Sequence, residues 1–313
     1  MFDALAIFLP FVLTGLLLPW WQKVCRRTYI TPPGKKGPLG GGWLLAGLVA
    51  LLLFAVTFVP PAHMPPHLSA EVLAQFALLS LMAIVFGSLF QKMDRKGTEP
   101  GWFRRLLPFV FVGMGAFLMP DLHPAISYYP ERALYMLIWL VVIRAFFLAD
   151  KLDGLATTSA AIVCLGLSVL VKPVALPALI LAGTCLGFLR FNRPDAIILL
   201  GVSGRYWLGY IVGGLWLMAA SLAPEGGQIP ALLVLLVPLV LNNFASRASW
   251  HERLLNLGMM PGQVLRRFIL WQVGYLVLAA VAFVSGAGVW VLGGGFIVFT
   301  GYLVYIKWLE RSL

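Results

Sequence analysis

The densest chemistry in this chain lies in Ala149-Asp150-Lys151-Leu152-Asp153-Gly154-Leu155-Ala156, where two carboxylates and an ammonium fall within four residues between two long apolar runs. Charges held at the edge of hydrocarbon are expensive, so such a segment is a candidate functional site. A solvated turn between two spans explains the same residues. A second cluster is Trp250-His251-Glu252-Arg253-Leu254-Leu255-Asn256-Leu257-Gly258, with Gly258 as a helix stop. Its spacing puts Trp250, Leu254 and Leu257 on one face of an amphipathic surface helix and leaves His251 solvated. Gly201-Val202-Ser203-Gly204 and the run Gly37 to Gly42 could each present backbone N–H groups to an anion, and a plain linker explains the latter equally well. His63 and His67 are separated by Pro65 and Pro66, which forbids a helical metal pair. Cys25, Cys164 and Cys185 show no CxxC spacing and read as ordinary thiols.

The elements that must position these residues are membrane helices. Of 313 residues, 61% are apolar and only 11% charged, with mean hydropathy +0.92, which excludes an ordinary soluble globule. At roughly 20 residues per crossing, eleven spans are expected: 4–21, 42–62, 71–90, 106–120, 132–149, 156–172, 174–190, 206–223, 230–246, 266–286 and 288–306. They leave room for one all-α polytopic domain over 1–313, and the first reads as a retained span. With the N-terminus outside and the C-terminus inside, 21 of the 23 basic residues fall on the inner face, leaving only Arg132 and Lys172 outside. The inner segments are then 22–41, Gln91–Pro100, the Asp150 turn, Phe191–Tyr206, and Ser246–Arg267. The apolar middle of Phe191–Tyr206 should hug the bilayer or tuck under neighbouring helices. Arg144, about one turn from the inner surface, can snorkel, and Tyr128 and Tyr129 mark the outer boundary.

Four of these stretches, in order, resemble the polyprenyl-phosphate N-acetylhexosamine-1-phosphate transferase family. Lys35-Lys36-Gly37-Pro38-Leu39-Gly40-Gly41 resembles its basic loop ending in Pro-x-x-Gly-Gly. Asp150 to Ala156 resembles its Asp-Gly-Leu-Asp-Gly-Leu-Ala. Leu186 to Asn192, followed by Ala196 and Gly201 to Gly204, resembles its Phe-Asn-x-x-Pro-Ala run into Gly-Asp-Ser-Gly-Ser. His251 to Gly258 resembles the end of its His-x-His-His-Arg-Leu-Leu-x-Leu-Gly loop. The resemblance implies a helical bundle, bacterial inner-membrane location, and transfer of a sugar 1-phosphate from a UDP-sugar to polyprenyl phosphate.

The departures are selective. Where the family has paired aspartates, this chain has Phe90 and Gln91. Its asparagine falls on Phe147, its metal-binding aspartate on Val202, and the serine after that motif on Arg205. Two histidines fall on Ser249 and Glu252, and a glycine falls on Lys151. Mg²⁺ wants oxygen ligands, and three anionic groups are lost while Arg205 and Lys151 add positive charge. No ordinary Mg²⁺ site or other cofactor is therefore expected. The favoured reading is a non-catalytic member that binds polyprenyl phosphate through Lys151, Arg193, Arg205, Asn192 and Arg253. Its partners would be the lipid bilayer and another membrane protein of envelope polysaccharide or glycolipid assembly; no nucleic acid is expected. An active transferase rebuilt on Asp150, Asp153 and His251, with Mg²⁺ and with Asp94 or Asp195 as substitute ligands, is the first alternative. A lipid or solute carrier is the second, although the spans hold few polar groups beyond Arg144, Asn242, Asn243 and Gln272.

Overall fold

A computed structural model describes residues 2–28, 40–56, 70–96, 101–120, 128–223, 228–244 and 249–312, and these form helices throughout. In order they are α1 (Phe2–Thr28), α2 (Gly41–Val56), α3 (Ala70–Lys96), α4 (Gly101–Leu118), α5 (Tyr128–Ala149), α6 (Leu155–Leu170), α7 (Ala175–Asn192), α8 (Gly201–Ser221), α9 (Ile229–Val234), α10 (Val237–Phe244), α11 (Trp250–Asn256), α12 (Pro261–Ser285) and α13 (Gly288–Ser312). Among the described residues five helices are long and apolar enough to cross a membrane: Asp3–Arg26, Glu71–Phe90, Tyr128–Ala149, Lys172–Asn192 and Pro261–Ser285. Gly41–Val56, Leu106–Leu118, Leu155–Leu170 and Gly288–Tyr302 are shorter apolar helices.

Several helices outrun the apolar runs that announce them. α1 continues to Thr28 and α3 to Lys96, so Gln91 to Lys96 is helix and not loop; Gln, Lys, Met and Arg propagate helix as readily as the apolar residues before them. The expected span 230–246 is instead two helices, broken at Leu235-Leu236. Pro238 explains the break, because its ring collides with the carbonyl four residues back. α8 begins at Gly201, five residues before the expected span, and draws the Gly-x-x-Gly motif into its first turn. Between α6 and α7 the Lys172-Pro173 signal becomes a single 3-10 turn, Lys172–Val174. His63, His67, Lys35, Lys36 and Arg247 lie outside the described residues.

α8 is the central helix, packed by α2, α3, α5 and α6. Its approach to α5 depends on small residues: the indole of Trp139 fills a notch floored by Gly115, Gly213 and Gly214, and its Nε1 donates to the Tyr210 carbonyl at 2.7 Å. Tyr210 in turn donates to the Phe111 carbonyl of α4 at 3.1 Å. α1 lies against α7 in the same manner, since a Cβ on Gly183 would meet Ile7 O and one on Gly187 would meet Phe11 O. At the far end of α5, Arg132 is buried, donating to the Ala116 and Met119 carbonyls at 3.1 and 2.7 Å and so capping the end of α4.

Gly41 and Gly42, which open α2, take neither role expected of the run Gly37 to Gly42, of which 37–39 lie outside the described residues. The Gly41 and Gly42 N–H groups donate to the Leu199 and Leu200 carbonyls at 2.9 and 3.0 Å. They are committed to backbone pairing and are not open to an anion, and Gly41 onward is helix and not linker. The cause is steric. A Cβ on Gly42 would lie 2.1 Å from Gly204 Cα, so only glycine lets these two backbones meet. The Ala196–Leu200 stretch is tucked as expected, with Ala196, Ile198 and Leu200 buried and Ile197 exposed.

Candidate functional site

The Asp150 segment is a tight reversal between α5 and α6. Asp150 N–H still bonds Phe146 O at 3.2 Å, Leu152 N–H bonds Ala149 O at 3.2 Å, and Thr158 N–H bonds Gly154 O at 3.0 Å, so little backbone is left unpaired. Leu152 anchors the turn inward, at 4% exposure. Gly154 makes the reversal with φ +84°, and a Cβ there would meet Leu189, Arg193 and Asn192 within 3.3 Å. Asn192 holds the opposite wall. It is buried, with Nδ2 donating to Ile198 O at 3.1 Å and its Oδ1 3.3 Å from the Thr157 hydroxyl. Asn192 therefore braces the loop.

Asp150 faces α8, where Arg205 Nε lies 3.5 Å from its Oδ2. The guanidinium sits over the Phe147 ring at 4.7 Å, and Arg144 approaches the same ring at 5.6 Å. Phe147 packs on Tyr206 at 5.4 Å, Tyr206 stacks on Phe90 at 3.9 Å, and Phe90 meets Phe86 edge-on at 4.9 Å. Val202 lies one turn before Tyr206 on α8. Phe90, Phe147 and Arg205, far apart in sequence and each a departure from the family pattern, thus meet in one place, with Val202 one turn away on α8. It is filled by rings, with the Arg205 and Arg144 guanidinium groups against Phe147.

On the other side of the turn, Lys151 Nζ reaches Glu252 of α11 at 2.8 Å. Glu252 also accepts from the Ser249 hydroxyl at 2.6 Å and the Ser249 N–H at 2.8 Å, a capping box that starts α11. The Ser249-x-x-Glu252 spacing is its sequence signal. Partial burial works against ionisation of Glu252, but the hydrogen bonds from Lys151 and Ser249 outweigh it and hold the carboxyl at about 2.

His251 departs from expectation: it is fully buried, not solvated. α11 is held against α12 and α13. Its Trp250 packs on Phe268 of α12 at 5.2 Å and on Phe299 and Tyr302 of α13 at 6.2 and 5.6 Å, and this inward roll carries the adjacent His251 with it. Its Nε2 lies 3.1 Å from Ser249 Oγ. Because the single Ser249 hydroxyl proton goes to Glu252, Nε2 is the donor in that contact. Burial lowers the imidazole to about 4; Glu252 opposes this and Lys151 adds to it. A neutral His251 whose Nε2 carries the proton is not a base toward Ser249.

Asp153 is half-buried beside the turn, Arg193 is exposed at the end of α7, and Arg253 is half-buried on α11. Asp195 takes a left-handed φ of +68°. The Asp94 side chain lies outside the described residues. Among the described residues, no three His, Cys, Asp or Glu side chains come together as a metal site. Among the described residues Asp150 faces a guanidinium and Phe90, Phe147 and Tyr206 adjoin it, a setting poor in the oxygen ligands that Mg²⁺ takes.

Residues 70–220, which include α3 to α8 and the Asp150 turn, match the family described as Glycosyl transferase family 4. Phospho-N-acetylmuramoyl-pentapeptide-transferase of Chlamydia trachomatis is 32% identical over 152 residues, 43% of this chain and 45% of the relative. The proteins of the same name from Gloeothece citriformis and Synechococcus sp. are 33% and 42% identical over 107 and 81 residues, covering 30% and 25% of this chain and 29% and 24% of their own. The matched segment spans less than half the length of each relative. The chain is thus helical and apolar, and its 70–220 segment is similar to glycosyl transferase family 4. The relatives that this chain matches carry the name phospho-N-acetylmuramoyl-pentapeptide-transferase.

Proposed function

We propose that this chain is a degenerate, non-catalytic member of the polyprenyl-phosphate sugar-1-phosphate transferase family that holds polyprenyl phosphate at the bacterial inner membrane. It would serve as a scaffold or lipid-carrier-binding subunit in envelope polysaccharide or glycolipid assembly, crossing the membrane about eleven times with N-out, C-in orientation. The observation that carries this reading is the filling of the position where the family's acids would converge: Phe90, Phe147 and Tyr206 pack there under Arg205. Transfer between anionic phosphates relies on a metal to neutralise developing charge, and rings cannot supply oxygen ligands. The Lys151–Glu252 pair also occupies the ammonium that a second anionic substrate would otherwise meet beside the turn.

Lipid binding has separate support. An apolar cavity of about 320 Å³ lies between α5, α9, α10 and α13, lined by Leu137, Val141, Val237, Val240, Leu241 and Phe296 among others. Exposed Arg144 lies one turn beyond Val141 on α5, toward the Asp150 end. A prenyl chain suits the cavity and its phosphate suits the cations at that end.

The test is nucleotide release. Purified protein is given undecaprenyl phosphate, UDP-N-acetylglucosamine or another UDP-sugar, and Mg²⁺ or Mn²⁺. The expected result is no UMP above a protein-free control. Metal-dependent UMP release that disappears in the Asp150→Asn, Asp153→Asn double variant would sink the non-catalytic reading and establish an active transferase on the surviving carboxylates.

A further inference from the structure

The Asp150–Arg205 pair is close but incompletely made. Arg205 Nε is 3.5 Å from Asp150 Oδ2, yet this buried N–H forms no hydrogen bond. The two side chains are 21% and 12% exposed, so neither is freely hydrated, and the Phe147 ring fixes the guanidinium plane from one side. A buried guanidinium donor without an acceptor is costly, and here the nearest carboxylate does not satisfy it. The planar fork of Arg is matched by the oxygens of a phosphomonoester, which brings up to two negative charges where a carboxylate brings one.

We infer that Arg205 is a metal-independent site for a phosphomonoester dianion and that Asp150 is its built-in competitor. The inference rests on the lipid-carrier reading above and adds how the phosphate is taken. In a metal-bridged site Asp150 would hold the cation that holds the phosphate, so its removal would weaken binding. Here Asp150 repels the incoming phosphate and shields Arg205, so its removal strengthens binding. The two arrangements predict opposite signs for one substitution. Asp150 keeps a further interaction of its own, so the competition is partial and the gain modest. A partly screened ion pair allows about a fivefold change.

The experiment measures equilibrium binding of undecaprenyl phosphate, with undecaprenol as the uncharged control, to protein in lipid nanodiscs with EDTA or with Mg²⁺. Wild type is expected to bind the phosphate form equally in both buffers and to prefer it over undecaprenol. Asp150→Asn should bind about fivefold more tightly, Arg205→Ala about tenfold more weakly, and Arg205→Lys in between, because it keeps the charge and loses the fork. Inorganic phosphate should displace the lipid from wild type, and at lower concentration from Asp150→Asn. Release by EDTA, or weaker binding by Asp150→Asn, would overturn the inference and leave the lipid-carrier reading standing. If wild type does not distinguish undecaprenyl phosphate from undecaprenol, or if inorganic phosphate fails to compete, the phosphate site falls; the first of these results takes the lipid-carrier reading with it. Should Asp150→Asn fail to fold, the EDTA comparison and Arg205→Lys still decide the matter.

Discussion

Replacing Gly42 with alanine tests whether the α2–α8 crossing is as close as the geometry requires. The added Cβ would stand 2.1 Å from Gly204 Cα, 2.6 Å from Gly204 N and 3.0 Å from Leu200 O. Ordinary carbon contact begins near 3.4 Å, so the backbones must part by about 1.3 Å (3.4 − 2.1), with no flexible side chain to absorb the shift. That movement breaks the Gly41–Leu199 and Gly42–Leu200 hydrogen bonds, worth about 1 kcal/mol each, and overpacking adds about 1–3 kcal/mol. The total is about 3–5 kcal/mol. Gly47→Ala, in the same helix with nothing within 4 Å of its Cβ, is the matched control and should be neutral or slightly stabilising. Thermal unfolding in detergent should show Gly42→Ala melting about 10 °C below Gly47→Ala. Gly204→Ala acts on the same crossing, its Cβ meeting Gly42 Cα at 2.7 Å, so the double variant should cost little more than Gly42→Ala alone. If Gly42→Ala melts within about 2 °C of Gly47→Ala, the close crossing is not real.

Acid should loosen α11 in two stages. His251 has its folded-state pKa lowered from 6.5 to about 4, so its contribution is complete above pH 6.5 and is lost as pH falls toward 4. Glu252, lowered from 4.5 to about 2, contributes above pH 4.5 and is lost toward pH 2. In His251→Gln the fall in melting temperature between pH 6.5 and 4 should flatten; an unchanged slope refutes the buried neutral imidazole. Trp139→Ala removes an indole packed against Gly115, Gly213 and Gly214 and should cost about 3–5 kcal/mol in denaturant unfolding, with a loss below about 1 kcal/mol counting against the notch. Gly154→Ala puts a Cβ on a left-handed residue with neighbours at 3.1 to 3.3 Å, and should destabilise by about 1–3 kcal/mol, whereas Gly286→Ala, also left-handed but with open space, should cost less by the same assay.

The helices were legible from apolar runs, and the Lys172-Pro173 and Gly258 signals marked real boundaries because proline and glycine act locally. The Asp150 turn was legible for the same reason. The inward turn of His251 was not, since it follows from where Trp250 lands on α12 and α13, a choice made by partners more than ten residues away. In wholly apolar helices, periodicity carries little information about which face is buried. The Gly41 and Gly42 pairing with Leu199 and Leu200 joins residues 158 apart (199 − 41), and nothing local announces it. The Pro238 break could have been inferred from the rule that proline ends helices, but an unbroken apolar run hides it. At the site, each substitution was visible singly; that Phe90, Phe147 and Arg205 stack into one filled volume required three dimensions.

The pairing of early helices with late ones governs how the protein can be made. The glycine seats for α1 are Gly183 and Gly187, and the carbonyls that receive the start of α2 belong to Leu199 and Leu200. During synthesis at about 5–20 residues per second, the first two helices therefore wait roughly ten to thirty seconds in lipid before their partners exist. A nascent chain stalled before residue 183 would display unmatched helix faces to the bilayer and to the quality-control proteases that survey it. For this protein, α1 and α2 reach their native seats only once α7 and the chain leading into α8 have been made.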